Sequence, residues 1–163
     1  SLDNPSNWLF KDFFRLCQFV KPDWIVLENV KGLIGTQKQT FFKKILEEFQ
    51  KLGYTTTHWV LNAADFGVPQ KRFRLFIVGS LKNRKLDPPS PTINRHLTVS
   101  EAIHDLPELS NGASEHQLPY KTVAKSEYAK LMRENLNTSP NHLVSKNSAQ
   151  VIERYKHIPQ GGN

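Results

Sequence analysis

Trp24-Ile25-Val26-Leu27 is an unbroken apolar run between Pro22 and the polar pair Glu28-Asn29. Continuous rather than alternating hydrophobicity predicts a parallel strand buried on both faces. The neighbouring segments carry a compatible rhythm. Leu9, Phe13, Leu16, Cys17 and Val20 recur at helical spacing, and the helix they predict should stop before Pro22. Asn4 or Ser6 can cap its start, with Pro5 at a favoured early position. After Gly32 and Gly35 a second helix is predicted, with Phe42, Ile45, Leu46, Phe49 and Leu52 on one face and Gly53 as its stop. Tyr54 to Leu61 is β-branched and aromatic, a strand; a loop with Gly67 and Pro69 then leads into the strand Phe73 to Val78. Helix, strand, helix, strand, strand predicts an α/β sheet ending in an antiparallel strand pair.

Beyond Ser80 the apolar segments thin out, so a folded part over 1–80 and a loop-rich, partly helical extension over 81–163 are expected. Asp87-Pro88-Pro89-Ser90-Pro91 reads as a linker or turn cluster. Thr98 and Glu101 have the spacing of a capping box for a short helix through Leu106, and Ser126–Leu136 and Ser148–Ile158 are candidate helices with thin apolar faces. There is no internal repeat, and the chain closes on the loop-like Gly161-Gly162-Asn163.

Composition narrows the partners. The chain has 163 residues, with 22 Lys and Arg against 15 Asp and Glu, a net charge of +7. That surplus favours polyanions, although an acidic small substrate or a merely soluble basic surface explains it as well. One cysteine, Cys17, excludes a disulfide framework and a cysteine-rich zinc site and fits a reducing, intracellular setting. No apolar run reaches membrane-spanning length, and the opening residues have no signal-peptide character. His58, His96, His104, His116, His142 and His157 show no metal-ligand spacing, so no metal is expected. Lys82, Arg84 and Lys85 could touch phosphate or simply be solvated.

Two motifs carry possible chemistry. Glu28 leaves the carboxyl end of a strand, where ligands of open α/β sheets bind. Partial desolvation there would suit it to donate a hydrogen bond or a proton; the alternative is a carboxylate that caps a turn or pairs with an arginine. In Gln70-Lys71-Arg72-Phe73-Arg74, strand alternation would send Gln70, Arg72 and Arg74 to one side. Guanidinium forks suit carboxylates, phosphates and base carbonyl oxygens, whereas a charged edge strand is the plainer reading.

Taken together, these segments resemble the cytosine-5 DNA methyltransferase family. Trp24 to Leu33 looks like its E-N-V motif, and Asn62 to Arg74 is similar to its Q-x-R-x-R motif with the Asp-Phe-Gly-Val-Pro lead. Asn7 to Arg15 is similar to the segment before E-N-V, and Val99 to Pro107 resembles the approach to the target-recognition region. A fainter likeness continues at Ile158 to Asn163. The resemblance implies the C-terminal half of a Rossmann-like, S-adenosylmethionine-dependent methyltransferase sheet. It also implies duplex DNA with a flipped cytosine as substrate, since the target atom is shielded inside the duplex.

By the same resemblance, a cysteine thiolate attacks carbon 6, and carbon 5 accepts the methyl group of S-adenosylmethionine. Glu28 would hold ring nitrogen 3 and the exocyclic amine, and Arg74 the carbonyl oxygen. Arg72 would support the pocket and the DNA backbone, Gln70 would organise the loop, and Asn29 would order the turn after the strand. The glycine-rich cofactor motif and the Pro-Cys nucleophile belong upstream of Ser1, so an internal fragment that is inactive alone is expected. Leu16-Cys17-Gln18 has no proline before its cysteine, and Cys17 reads as a core residue. A restriction-modification methylase, intracellular and bacterial, is the leading expectation. A tRNA cytosine-5 methyltransferase of the same fold and a non-catalytic nucleic-acid-binding regulator are the alternatives. Comparing duplex DNA with tRNA as substrate separates the first pair, and a Pro-Cys pair upstream would distinguish an enzyme from a regulator.

Overall fold

The computed structural model of the chain describes residues 8–35 and 39–159. The chain divides into two units, Ser1–His96 and Leu97–Asn163. In the first, α1 (Phe10–Val20) leads to β1 (Trp24–Val30), a short 3-10 turn at Lys31–Ile34, α2 (Gln39–Lys51), β2 (Thr55–Asn62), a second 3-10 turn at Ala63–Phe66, and β3 (Phe73–Ser80). The proposed caps Asn4 and Ser6, with Pro5, lie outside the described residues. Lys21, in left-handed geometry, closes α1 just before Pro22, and Gly53, at φ 82°, follows α2.

The sheet order is β1-β3-β2, and both pairings are antiparallel. The expected antiparallel pair at the end of the sheet is β2 with β3. For β1 the expectation changes: among the described residues it pairs only with β3, antiparallel, and its burial alternates instead of covering both faces. Ile25 is buried while Val26 is open. An apolar run reports a strand's affinity for cover, but not whether both faces receive it.

One face of the sheet holds the core. Ile25, Leu75 and Ile77 meet Phe14 and Cys17 from α1 and Phe41, Ile45 and Phe49 from α2. Phe49 packs edge-on against Phe14 at 4.9 Å and against Tyr54 at 6.2 Å. Gly79 permits this approach, because a Cβ there would stand 2.6 Å from two Phe49 ring carbons. Tyr54 donates its hydroxyl to the Pro22 carbonyl at 2.6 Å, and burial pushes its pKa up. Cys17 is buried as expected, but Leu9, Phe13, Leu16 and Val20 are exposed among the described residues. Helix α1 therefore carries two apolar stripes, and the core takes the one through Phe14 and Cys17.

The second unit contains α3 (Val99–Ile103), β4 (Ser114–Pro119), α4 (Glu127–Arg133), β5 (Thr138–Leu143) and α5 (Ala149–Lys156). The capping box is formed: the Glu101 amide donates to Thr98 Oγ1 at 3.1 Å, and the Thr98 amide to Glu101 Oε2 at 2.9 Å. Ser126 and Ser148 cap α4 and α5. Strands β4 and β5 pair antiparallel across the intervening α4. Their sequences, SEHQLP and TSPNHL, are poor in β-branched and aromatic residues, so composition does not announce them. Buried Asp105 lies 3.6 Å from Arg133, whose guanidinium stacks 3.7 Å from the Tyr120 ring centre. No described helix is long and apolar enough to cross a membrane.

Candidate functional site

Residues two apart on a strand share a face. Ile25, Leu75 and Ile77 point to the helices, so Glu28 on β1 and Arg74 and Phe76 on β3 point to the opposite side. Register then places Glu28 across from Phe76 and one step from Arg74. The Arg74 Nε lies 2.9 Å from Glu28 Oε1, and its Nη1 donates to the Phe73 carbonyl at 2.9 Å. The Glu28 side chain is 48% exposed and that of Arg74 24%. Of the two sequence readings of Glu28, partial desolvation or pairing with an arginine, the geometry shows the pairing: Glu28 is half open to water and charge-paired with Arg74.

Above the pair opens a cavity of about 460 Å³, charged at Glu28, Arg72 and Arg74 and walled by Leu61, Phe66, Phe76 and Pro89. Two guanidinium groups against one carboxylate leave it net positive, while the walls are apolar. An occupant with a flat apolar body and a polar, carbonyl-bearing edge matches both features. Structure thus brings together the three residues that sequence singled out from two separate motifs.

The remaining expectations are placed differently. Strand β3 begins at Phe73, so alternation does not extend back to Gln70, which is exposed and absent from the cavity lining. Its amide donates to the Val68 carbonyl at 2.7 Å. Arg72 reaches the cavity from a loop instead, its amide held by Asn62 Oδ1 at 3.1 Å and its carbonyl by the Ala63 amide at 2.9 Å. Asn29 points to the helix side, where it accepts from the Val30 amide at 2.8 Å. It lines a second cavity of about 450 Å³ with Phe13, Leu27 and Phe41, and Glu28 borders this one too.

Cys17 lines neither cavity; it faces Leu52 and Tyr54, and burial raises its pKa. Lys82 is tied to Asp23 at 2.7 Å, while Arg84 and Lys85 are exposed. Among the described residues no group of three or more His, Cys, Asp or Glu is arranged to hold a metal ion.

Sequence reasoning missed the apolar walls and the polar support beneath Arg72. Asn62 is buried at 7% exposure and caps the 3-10 turn after β2. An asparagine at a strand end with aspartate three residues on is a recognisable cap-and-turn signal, and it was available.

A family model described as C-5 cytosine-specific DNA methylase matches residues 1–161. Type II methyltransferase M.DdeI of Desulfomicrobium norvegicum is 34% identical over 97% of this chain and 40% of its own length. Type II methyltransferase M1.HphI of Haemophilus parahaemolyticus is 32% identical over 99% of this chain and 37% of its own. A crystal structure of a prophage-encoded E. coli protein, assigned as a DNA modification methyltransferase, shares the fold. Its TM-score is 0.68 at 22% identity, over 96% of this chain and 51% of that one. The chain thus spans about two fifths of the length of the curated relatives it matches.

Proposed function

Because the chain belongs to the C-5 cytosine-specific DNA methylase family, we propose that it supplies the base-holding part of a DNA (cytosine-5-)-methyltransferase, of the kind found in restriction-modification systems. The observation that carries this reading is the Glu28–Arg74 pair at the floor of a cavity that Arg72 also reaches. A cytosine out of the helix offers a flat ring, a carbonyl oxygen, ring nitrogen 3 and an exocyclic amine. Glu28 accepts from the amine and holds a proton at nitrogen 3, which makes the ring electrophilic. Arg74, beside the same carboxylate, donates to the carbonyl oxygen. Arg72, the more exposed of the two, serves the rim and the DNA backbone. Gln70 and Asn29 act as organisers of the loop and of the strand end.

An ion pair this open to water is worth about 0–1 kcal/mol. Its partners can therefore exchange one another for a substrate edge at little cost.

S-adenosylmethionine, implied by the family, supplies the methyl group in the complete protein. Neither the Glu28–Arg74 cavity nor the one that Asn29 lines fits it as a complete site. Both cavities have Glu28 as their lining carboxylate, and Arg74 engages it. The nucleophile and most of the cofactor site are assigned to the remainder of the full-length protein, and this chain alone is expected not to methylate. The tRNA and regulatory readings draw support from no feature of the site.

In the full-length enzyme, Glu28→Gln and Arg74→Ala are each expected to cut methyl transfer to duplex DNA by roughly 10²–10⁴-fold with circular dichroism unchanged. Full activity in both variants would refute the reading.

A further inference from the structure

Three polar residues that adjoin the cavity lining without entering it, Asn62, Asp65 and His96, have no role in the chemistry just described. Asn62 Oδ1 accepts from the Arg72 amide at 3.1 Å and from the Ala64 amide at 3.4 Å. Its Nδ2 faces Asp65 Oδ1 at 3.4 Å. The same Asp65 oxygen meets His96 Nε2 at 2.7 Å, and the Asp65 carbonyl accepts from the Thr92 amide at 3.0 Å. Each link pairs a donor with an acceptor: facing a carboxylate oxygen, the imidazole Nε2–H donates, and so does the asparagine amide nitrogen. That fixes the amide so that its oxygen can face only the two backbone N–H groups.

The consequences reach both walls of the site. Thr92 and His96 dock on one aspartate, which ties down the stretch that begins at Pro89, a wall of the cavity. The Arg72 main chain is gripped at its N–H by Asn62 and at its carbonyl by Ala63. The Arg72 guanidinium sits at the end of a long arm from this anchor, so a small backbone rotation there is magnified at the tip.

We propose that Asn62, Asp65 and His96 form a positioning relay that sets Arg72 and the Pro89 wall as one unit. The inference rests on the Glu28–Arg74 reading, because it is that pocket the relay would align. Near-angstrom displacement of a substrate-positioning group costs up to about 100-fold in rate. The relay's outermost member, His96, is exposed and can be changed without opening the core.

The test uses the full-length enzyme with S-adenosylmethionine and duplex DNA. His96→Ala is expected to lower kcat/KM for DNA about tenfold, with the melting temperature unchanged. His96→Gln, which keeps a donor at the position of Nε2, is expected to restore the rate. Asp65→Asn combined with His96→Ala should be no slower than Asp65→Asn alone, since both break one chain of bonds. A wild-type rate in His96→Ala overturns the relay, as does a loss that tracks a fallen melting temperature and that His96→Gln does not repair. Glu28→Gln run in parallel separates the two ideas. If it is inactive while His96→Ala is normal, only the relay fails; if it is fully active, the pocket reading fails and takes the relay with it.

Discussion

Glu28 shows how one side chain can satisfy two readings that sequence left as alternatives. It leaves a strand end beside a cavity, and it also pairs with an arginine, at 2.9 Å. Residue type and spacing announced both possibilities, but only register could say that the arginine would be Arg74. Cys17 is the opposite case. Its helical spacing already argued for the core, and its buried place on α1 agrees. Desolvation favours the neutral thiol, so its pKa lies above the ordinary 9.0, with a backbone hydrogen bond opposing part of the rise. A raised pKa means the fold holds the proton that the unfolded chain releases. Stability from this group is complete below about pH 9 and falls as alkali carries the chain through the folded value. At pH 7.5 the native chain is therefore expected to react slowly with iodoacetamide, and rapidly after urea unfolding. Equal rates before and after unfolding would contradict the burial described.

At the scale of elements, periodicity located helices and strands better than it chose their faces. Helix α1 has apolar residues on two stripes; sequence favoured Leu9, Phe13, Leu16, Cys17 and Val20, and of these the core received Cys17, joined by Phe14, which the helical spacing had passed over. Both stripes satisfy a 3.6-residue period; which one packs depends on where β1 and α2 lie. In α2 the same reading found Ile45 and Phe49 but passed over Phe41. Fit at the sheet is tight where Gly79 meets the Phe49 ring, and Phe49 is wholly buried. Gly79→Ala is expected to destabilise the protein by about 1–3 kcal/mol through overpacking. Urea denaturation measures this, and an unchanged midpoint would mean that the ring moves aside freely. Capping boxes were legible because they are local: Thr98 and Glu101 need only three residues to find one another. The β4–β5 pair was not, because its partners are separated by α4 and neither strand has a strong β composition.

The whole molecule separates after His96, and the stretch 81–96 belongs with the sheet unit because Asp65 holds both Thr92 and His96. Among the described residues, the outer stripe of α1 and the edge strand β1 expose much apolar surface, with Val20 68% and Val26 61% accessible. Surface of that kind marks contact with something else. The chain expressed alone is therefore expected to bind the dye ANS at neutral pH while circular dichroism shows it folded, and the full-length protein to bind less. A folded chain that leaves the dye dark would count against an exposed stripe. Sequence by itself determined the order of elements in the first unit, the family likeness and the residue types that carry the chemistry. All of these reside in local spacing and short motifs. Tertiary structure alone decided which stripe of α1 is buried, that β1 runs antiparallel to β3, and that Glu28, Arg72 and Arg74 meet over one cavity. Those outcomes depend on pairing between segments about fifty residues apart, where the favoured partner is chosen by competition among packings rather than by any local preference.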